Sequence, residues 1–396
     1  MLKGKTVVLG VTGSIAAYKI ANLASQLKKL NADIHVIMTK NATNFINPIT
    51  FETLTGNKCL VDTFDRNFEF HVAHVSLADK ADVMLIAPCS ANVIGKLATG
   101  IADDMLTTTA MAMVCPVLIS PAMNTKMFNN PVLQDNLKKL EDYGKTIIPP
   151  DNGYLACGAT GTGKMPSEEV LLQYILREIA AEKDLKGKKV LVTAGPTKEA
   201  IDPVRFISNH STGKMGYAIA KKAIERGADV TLISGPVSIK APLFANLVNV
   251  TSAEEMFEAV KENYEDSDII IKAAAVADYT PLNVSDTKIK KKEGNLEIPL
   301  KRTTDILSWL GENRKPGQII CGFSMETDNM LENSRAKLLK KKVDLIAANS
   351  LREEGAGFKS DTNHLTLIGK DFETEIPMME KEDAANCLLD EILKML

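Results

Sequence analysis

The sequence predicts an α/β protein with two domains, each built on a doubly wound parallel sheet. The chain has 396 residues, which is longer than most single hydrophobic cores. Short apolar runs alternate with longer segments of helical apolar spacing, as in parallel sheets that are covered by helices. The pattern that opens the chain returns near residue 185. We therefore expect one domain before that point and a second domain after it.

The first domain is predicted to begin with a strand, a tight turn and a helix. Residues 5–10 (KTVVLG) are rich in β-branched side chains, Gly13 supplies the turn, and residues 15–30 have apolar side chains at helical spacing. Further strands are predicted at residues 33–38, 83–87, 116–119 and 146–148. Because helix-like segments separate these strands, we expect them to lie parallel in one sheet.

The second domain begins with a near repeat of the first. Residues 185–195 (LKGKKVLVTAG) resemble residues 2–13 (LKGKTVVLGVTG), and the charged stretch 181–189 predicts a link between the domains. A helix should begin at Gly213 and run through Arg226, and strands are predicted at residues 227–234 and 268–278. The repeat is short, and any buried first strand needs such residues, so it does not indicate gene duplication.

The composition excludes several classes of protein. With 45% hydrophobic and 24% charged residues, the chain is neither disordered nor fibrous. Its formal net charge of −3 provides no general field for polyanions, so we expect no nucleic-acid partner. The six cysteines are scattered, which argues against structural zinc and against a disulfide framework. Without a signal-peptide pattern or an apolar stretch that could span a bilayer, we expect no membrane association and a cytoplasmic location.

Both domains begin with a glycine turn that suits phosphate binding. Backbone N–H groups at the start of the following helix would face the anion. Dinucleotide sites usually also carry an acidic residue at the end of the second strand, which binds the ribose. Here the corresponding strands end in Met38 and Thr39 and in Ser234. The sequence therefore favours a mononucleotide such as FMN, or a nucleoside triphosphate, over NAD.

Short polar residues stand at the predicted strand-to-helix junctions of the first domain, namely Ser14, Thr39, Ser90 and Asn92. Open α/β sheets bind ligands at the carboxyl ends of their strands, so these side chains suit phosphate and the polar edge of a flavin. The alternative is that they cap helices, which Ser, Thr and Asn do routinely. Both interpretations stay open at this point.

A histidine and a cysteine are further candidates in the first domain. His74 lies in a polar loop close to His71, where it can be structural or catalytic. Cys157 lies in a glycine-rich segment that resembles a mobile flap. Free cysteines are usually buried, but the surrounding glycines make burial less expected here.

Several motifs together resemble a known family. GSIAAYK, SANVIGKLATGIADD, PAMNTKM and ACGATGTGKM are similar to segments of the flavin-dependent cysteine decarboxylases. RFISNHSTGKMG, AAAVADY, KIKK and GFSMET are similar to segments of phosphopantothenate–cysteine ligases. The whole chain resembles the bacterial fusions of phosphopantothenoylcysteine decarboxylase with that ligase, from coenzyme A synthesis. The resemblance implies a flavodoxin-like flavoprotein domain in residues 1–185 and a Rossmann-like ligase domain in residues 186–396.

The resemblance also implies roles for residues of the first domain. His74 would be the base, Asn124 the contact to the substrate carboxylate and Cys157 the proton donor. Oxidation beside the substrate thiol by FMN would create a thioaldehyde, which accepts the electron pair that CO₂ leaves behind. A group that titrates near neutrality suits the base, and a thiol with a pKa of about 8.5 suits the donor. The residues implied to hold FMN are Gly13, Ser14, Thr39, Ser90, Asn92 and Met123.

In the second domain, the resemblance implies that CTP activates a carboxylate as an acyl-cytidylate, which the amine of cysteine then attacks. Asn209 would serve the acyl-cytidylate step, and Lys288 would contact the nucleotide. Mg²⁺ is expected with the triphosphate, although no acidic cluster in the sequence identifies its ligands. The other implied nucleotide contacts are Asp278, Thr304, Asp305, Ile306, Leu307, Phe323, Lys337 and Lys341.

Helical spacing supports two of these contacts independently. Lys337 and Lys341 are four residues apart in a predicted helix, so they share a face. Like charges at this spacing cost roughly 0.2–0.5 kcal/mol unless an anion lies between them. Without the motif, a solvated lysine face is the better interpretation of Lys337 and Lys341, and a surface loop is the better interpretation of KIKK.

Two other functions compete with the bifunctional enzyme. One is a flavoprotein of single function with an inert second half, which the full set of ligase motifs disfavours. The other is a regulatory protein without turnover, which the joint presence of His74, Asn124 and Cys157 disfavours. The expected small-molecule partners are 4′-phosphopantothenate, cysteine and CTP. The resemblance also implies homo-oligomers, with trimeric decarboxylase domains, dimeric ligase domains and a dodecamer as the assembly that combines them.

Overall fold

The structure is a computed structural model that describes residues 1–64, 73–156, 158, 160–291, 295–326, 329–350, 357 and 360–396. The chain forms two compact units, Met1–Glu182 and Lys183–Leu396. These are the N-terminal unit and the C-terminal unit. In the described part of the chain, no helix has the length and apolarity needed to cross a membrane.

The N-terminal unit alternates strands with helices. Its elements are β1 (Thr6–Val11), α1 (Ala17–Lys29), β2 (Asp33–Met38), α2 (Pro48–Thr55), α3 (Ala73–Lys80), β3 (Val83–Cys89), α4 (Ala91–Thr99), α5 (Met105–Ala112), β4 (Val117–Pro121), α6 (Thr125–Phe128), α7 (Pro131–Asp142), β5 (Thr146–Ile147), β6 (Asp151–Tyr154), β7 (Thr160–Lys164) and α8 (Glu168–Ile179). The five strands predicted from the sequence correspond to β1 to β5, with boundaries that differ by at most two residues.

Strands β1 to β5 form one parallel sheet in the order β2-β1-β3-β4-β5. Successive side chains of a strand point to opposite faces. In β1, Val7 and Leu9 therefore pack in the core with α1 and α8, while Val8 packs in the core with α4, α5 and α7. Because helices cover both faces, β3 is apolar and buried along its whole length. The predicted doubly wound parallel sheet is confirmed.

The C-terminal unit is larger and has a mixed sheet. Its elements are β8 (Lys189–Ala194), β9 (Lys198–Ala200), β10 (Phe206–Ser208), α9 (Lys214–Glu225), β11 (Asp229–Ser234), β12 (Asn246–Asn249), α10 (Ala253–Asn263), β13 (Ile269–Lys272), β14 (Tyr279–Pro281), β15 (Leu300–Arg302), α11 (Ile306–Asn313), β16 (Ile319–Glu326), α12 (Met330–Lys341), β17 (Leu345–Ser350), β18 (Thr362–Gly369), β19 (Glu373–Glu380) and α13 (Lys381–Leu393).

The main sheet of this unit has the order β12-β11-β8-β13-β16-β17-β18-β19. The strands from β12 to β17 are parallel, and β18 and β19 add an antiparallel hairpin at one edge. Helix α9 begins after Gly213, as predicted, and Gly213 has a left-handed φ of 78°. The second doubly wound domain is therefore confirmed, with the hairpin as an addition that the sequence did not predict.

One strand prediction was too long. The predicted strand 268–278 ends at Lys272, and the alanine-rich residues after it form a loop. The backbone there pairs with the loop that follows β8: the Ala275 N–H donates to the Gly195 carbonyl at 2.9 Å, and the Ala277 N–H donates to Thr197 Oγ1 at 3.0 Å. The backbone thus stops pairing with neighbouring strands after Lys272 and pairs with a loop, and a run of small apolar residues does not reveal this change.

We predict that Leu191→Ala destabilises the C-terminal unit by about 2–5 kcal/mol, because it opens a cavity in a closely packed core. Leu191 lies in β8 and is fully buried in the same core as Trp309, the single tryptophan of the chain. Urea unfolding followed by Trp309 fluorescence measures the change. Leu339→Ala is the matched control, since Leu339 is 69% exposed and its loss should cost less than about 0.5 kcal/mol. Equal effects of the two substitutions would contradict the packing described here.

Candidate active sites

The strand order of the N-terminal sheet reverses between β1 and β3, which leaves a crevice at the carboxyl ends of these strands. Thr12 ties the two strand ends together. Its hydroxyl donates to the Pro88 carbonyl at 2.7 Å and accepts from the Ser90 N–H at 2.9 Å. Thr12 is fully buried, and sequence analysis did not single it out. Its effect is to fix the spacing of the two turns that border the crevice.

The crevice is suited to an anion. Helices α1 and α4 begin beside it, and neither has a side-chain cap or an acidic residue in its first turn. The first N–H groups of α4 therefore remain available to an anionic ligand. In α1, by contrast, the N–H groups of Ala17 and Lys19 donate to the carbonyls of Ser14 and Ala16. A side chain at position 13 would not fit, because a Cβ on Gly13 would lie 2.8 Å from Asn41 Cβ. These features fit the phosphate of FMN.

The four polar residues at the strand-to-helix junctions differ in what they bind. Ser14 Oγ accepts from the Ala16 N–H and Thr39 Oγ1 accepts from the Ala42 N–H, each at 3.3 Å. Ser14 and Thr39 thus support local turns. Ser90 occupies the N-cap position of α4, yet its hydroxyl makes no capping hydrogen bond. Asn92 is exposed in the first turn of α4. Capping of a helix or turn, the alternative to ligand binding, therefore accounts in part for Ser14 and Thr39 but not for Ser90.

A cavity of 350 Å³ opens beside this crevice and contains Ser14, Met123 and Asn124 among its lining residues. Lys19 and Lys164 also line it, and none of the described residues in its lining is acidic. The cavity therefore favours a ligand with negative charge. Gly13, Thr39, Ser90, Asn92 and His74 do not line it.

Asn124 is oriented by the short helix that follows it. Its Oδ1 accepts from the Met127 N–H at 2.9 Å, so the side chain caps α6. Since the oxygen is engaged, the side-chain NH₂ group is the part of Asn124 that can donate to a ligand. A neutral donor of this kind matches the role predicted for Asn124, which is to contact a carboxylate.

The hairpin of β6 and β7 covers the loop that carries Asn124. The Met123 N–H donates to the Gly163 carbonyl at 3.0 Å. Gly163 has a φ of 133°, and a Cβ there would lie 2.3 Å from the Met123 oxygen, so only glycine permits this approach. This hairpin belongs to the segment predicted to be a flap, and Cys157, which comes between β6 and β7 in the sequence, lies outside the described residues.

His74 lies in α3, near the start of that helix, and is partly buried. It is not among the described residues that line the cavity with Asn124. Its neighbour His71 lies outside the described residues. The other five cysteines, Cys59, Cys89, Cys115, Cys321 and Cys387, are free thiols.

The C-terminal unit has a cavity of 550 Å³ that brings together eight of the predicted nucleotide residues. These residues come from the loop after β13, from the start of α11, from β16 and from α12. They are Asp278, Thr304, Asp305, Ile306, Leu307, Phe323, Lys337 and Lys341. Elements distant in sequence thus converge on one polar cavity.

The two lysines of α12 are held in place by neighbours. Lys337 Nζ donates to the Phe323 carbonyl at 3.1 Å and to Ser324 Oγ at 3.3 Å. Lys341 forms an ion pair with Asp305 and donates to Ser308 Oγ at 2.9 Å, and its side chain is only 14% exposed. The interpretation of these two residues as a solvated lysine face is therefore wrong.

Lys272 is a further lysine of this cavity, which sequence analysis missed. It ends β13 and forms no ion pair with any described residue. Burial lowers its pKa to about 8, and the charge of Lys337 adds to the effect, whereas Asp305 and Asp278 oppose it. The sequence could have identified Lys272 as a candidate, because the run IIIK ends a buried strand with a cation. The carboxyl ends of such strands are where α/β sheets bind ligands.

Asn209 and Lys288 lie outside this cavity. Asn209 Nδ2 donates to the carbonyls of Ala275 and Val276 at 3.1 and 3.2 Å. The side chain therefore bridges to the loop after β13, at the point where the strand order reverses between β8 and β13. Lys288 is exposed. In the described part of the chain, no group of three or more His, Cys, Asp or Glu side chains could hold a metal ion.

The folds of the two units define a doubly wound α/β protein with a ligand-sized cavity in each half. Comparisons with known proteins agree. Residues 1–180 match the family model Flavoprotein, and residues 185–396 match the model of the DNA/pantothenate metabolism flavoprotein C-terminal domain.

The relatives give a more specific assignment. The coenzyme A biosynthesis bifunctional protein CoaBC of Bacillus subtilis is 48% identical, and the match covers 99% of this chain and 97% of the relative. CoaBC of Escherichia coli is 40% identical, with coverage of 99% and 97%. A crystal structure of a CoaBC C-terminal domain is 42% identical and covers 54% of this chain and 98% of that chain, with a TM-score of 0.47. The chain belongs to the CoaBC family of bifunctional coenzyme A biosynthesis proteins, which confirms the predicted resemblance.

We predict that Lys272 is acylated at lower pH than ordinary lysines. Only the neutral amine reacts, and with a pKa of about 8 half of Lys272 is neutral at that pH. Competitive labelling with acetic anhydride, read by peptide mass spectrometry, should show its rate levelling off near pH 9. The exposed Lys3 is the reference. A Lys272 rate that still rises above about pH 10, as expected for an ordinary lysine, would contradict the depressed pKa.

Proposed function

We propose that the chain catalyses two consecutive steps of coenzyme A biosynthesis. The C-terminal domain, residues 186–396, joins 4′-phosphopantothenate and cysteine with CTP by way of an acyl-cytidylate. The N-terminal domain, residues 1–185, decarboxylates the resulting 4′-phosphopantothenoylcysteine to 4′-phosphopantetheine with FMN. The observation that carries this proposal is a crevice at the reversal of strand order in the first sheet and a polar cavity beside the carboxyl ends of β13 and β16 in the second, in a chain that matches a bifunctional family over 99% of its length.

In the decarboxylase, the crevice between β1 and β3 would hold FMN through Gly13, Ser14, Thr39, Ser90, Asn92 and Met123. When bound, FMN supplies the oxidation beside the substrate thiol that makes loss of CO₂ possible. The residues of this chain bind and orient the substrate. Lys19 and Lys164 give the neighbouring cavity positive charge, which suits the substrate phosphate.

Asn124 is proposed to hold the substrate carboxylate with its side-chain NH₂ group, because its Oδ1 is engaged by the Met127 N–H. A neutral donor fixes the carboxylate without the charge attraction that would oppose its departure. His74 is proposed as the base that removes the thiol proton, and Cys157 as the acid that returns a proton to the product. These two roles rest on the family resemblance.

In the ligase, attack of the substrate carboxylate on CTP gathers negative charge on the phosphates. Lys272, Lys337 and Lys341 are proposed to stabilise that charge, and Asp278 is proposed to bind a polar group of the nucleotide. Asn209 would serve the acyl-cytidylate step and Lys288 would contact the nucleotide, although neither is among the residues that line the cavity. Mg²⁺ is proposed to enter with the triphosphate and to be held mainly by its oxygens.

Association and location are further proposals. We expect trimers through the decarboxylase domains and dimers through the ligase domains, so that a dodecamer satisfies both, in a cytoplasmic enzyme. Sedimentation of the purified chain measures the assembly.

We predict that the purified protein is yellow and makes 4′-phosphopantetheine, CO₂, CMP and pyrophosphate from 4′-phosphopantothenate, cysteine, CTP and Mg²⁺. Omission of cysteine should stop CMP release, because the amine is needed to displace it. Chromatography of nucleotides and mass spectrometry of the acyl product follow the two halves separately. Absence of CMP removes the ligase proposal, and accumulation of the cysteine conjugate removes the decarboxylase proposal.

We predict that Asn209→Asp slows amide formation and lets the acyl-nucleotide accumulate. The substitution replaces the donating NH₂ group with an oxygen that faces the carbonyls of Ala275 and Val276, so the side chain should be repelled from the position it holds. Quenched-flow mass spectrometry measures the intermediate, and Asn313→Asp, an exposed asparagine on α11, is the control. A wild-type rate of amide formation in Asn209→Asp refutes the role of Asn209.

A further inference from the structure

Asp202 is a buried carboxylate that binds three backbone N–H groups. Its side chain has no exposed surface. Oδ1 accepts from the N–H groups of Val204 and Arg205, both at 2.8 Å, and Oδ2 accepts from the N–H of Ile289 at 3.1 Å. Burial raises the pKa of this carboxyl, but the hydrogen bonds from Val204, Ile289 and Arg205 outweigh it, so the pKa lies below its usual value.

One of these three bonds reaches far along the chain. The bonds to Val204 and Arg205 close a local turn, whereas the bond to Ile289 holds the residue next to Lys288. Two more bonds support the same attachment: the Ser285 N–H donates to the Ile201 carbonyl at 3.1 Å, and Arg205 Nη2 donates to the Ile289 carbonyl at 3.4 Å. Residues 285–289 are thus fastened on both sides of Lys288.

The turn that Asp202 closes leads directly to Asn209. Strand β10 follows the turn, and Ser208 Oγ donates to the Thr197 carbonyl at 2.8 Å. Asn209 comes next and bridges to the loop after β13. The carboxylate of Asp202 therefore supports both the segment that carries Lys288 and the segment that carries Asn209.

We propose that Asp202 is a positioning residue for ligation, which holds Lys288 in a fixed place relative to Asn209. The proposal rests on the proposed function, because it takes Lys288 and Asn209 as residues of the ligase reaction. Asp202 touches no reacting group and acts through the backbone of residues 285–289. Small displacements of a reacting group reduce rates by up to roughly 100-fold, so such a support has a large effect on turnover.

Asp202→Asn keeps the bonds that close the local turn and removes both the long-range bond and the ion pair of Oδ2 with Arg205 Nη1, which lies 3.6 Å away. The asparagine oxygen can still accept from Val204 and Arg205, whereas its NH₂ group would face the Ile289 N–H, which is a second donor. Ile289→Pro removes the same bond from the other side, since proline has no N–H. Asp286→Asn is the matched control, because Asp286 is an exposed carboxylate on the same segment.

The experiment measures ligation, attachment of the segment and folding in the full chain. We expect Asp202→Asn and Ile289→Pro to ligate roughly 10- to 100-fold more slowly, with faster trypsin cleavage after Lys290 and Lys291. Asp286→Asn should match the wild type in both. Trp309 fluorescence reports folding of the C-terminal unit, since this ring packs against Phe257 and Tyr264. If Asp202→Asn alters this fluorescence, folding of that variant is disturbed. The ligation rate and trypsin cleavage of Ile289→Pro then test the proposal in its place.

A double substitution tests whether Asp202 acts through Lys288. In chains that already carry Lys288→Ala, Asp202→Asn should cause no further loss of ligation. A further loss of the same size as in the wild-type chain overturns the proposal, and so does unchanged trypsin cleavage in natively folded Asp202→Asn and Ile289→Pro. Full ligation by Lys288→Ala would instead remove the proposed function of Lys288, and the trypsin result would then show separately whether Asp202 holds the segment.

Discussion

The two sites depend on one topological constraint, which is the reversal of strand order in each sheet. Parallel strands need crossover helices, and the crossovers turn to opposite faces on the two sides of β1 and β3 and of β8 and β13. The loops at the carboxyl ends of these strands therefore diverge and leave room for a ligand. Helix starts at these loops leave backbone N–H groups without intrahelical partners. Thr12 in one unit and Asn209 in the other hold these loops with hydrogen bonds across the crevice.

Charge distinguishes the two cavities. The N-terminal cavity has two lysines and a neutral amide, Asn124, and the part of its lining that the structure describes contains no carboxylate. The C-terminal cavity combines four cationic side chains with Asp278 and Asp305. The pKa of Lys272 is lowered in this cavity, because the side chain loses part of its hydration and the positive charge of Lys337 lies near. An anionic ligand would favour the charged form of Lys272, so binding of a triphosphate and uptake of a proton should be linked.

Much of the fold could be predicted from the sequence, because buried parallel strands leave continuous apolar runs. Strands β1 to β5 and helix α9 were found in this way. The eight residues predicted to contact the nucleotide were named through the family resemblance, and helical spacing supported only Lys337 and Lys341 among them. Residues 278–341 meet in one cavity through tertiary packing that no local pattern encodes. The same reason explains what was missed. Thr12 and Asp202 matter because of hydrogen-bond partners more than 70 residues away in the chain. Lys272 matters because it lies near Lys337, which belongs to a helix distant in sequence.

The most direct test of the account is a crystal structure of the full chain with FMN and a CTP analogue that resists cleavage. We expect the FMN phosphate to accept hydrogen bonds from the backbone N–H groups beside Gly13 and Ser90. We expect the CTP analogue in the cavity lined by Asp278 and Lys341, with its triphosphate directed toward Lys272. FMN bound away from the crevice between β1 and β3, or the CTP analogue bound outside this cavity, would contradict the account.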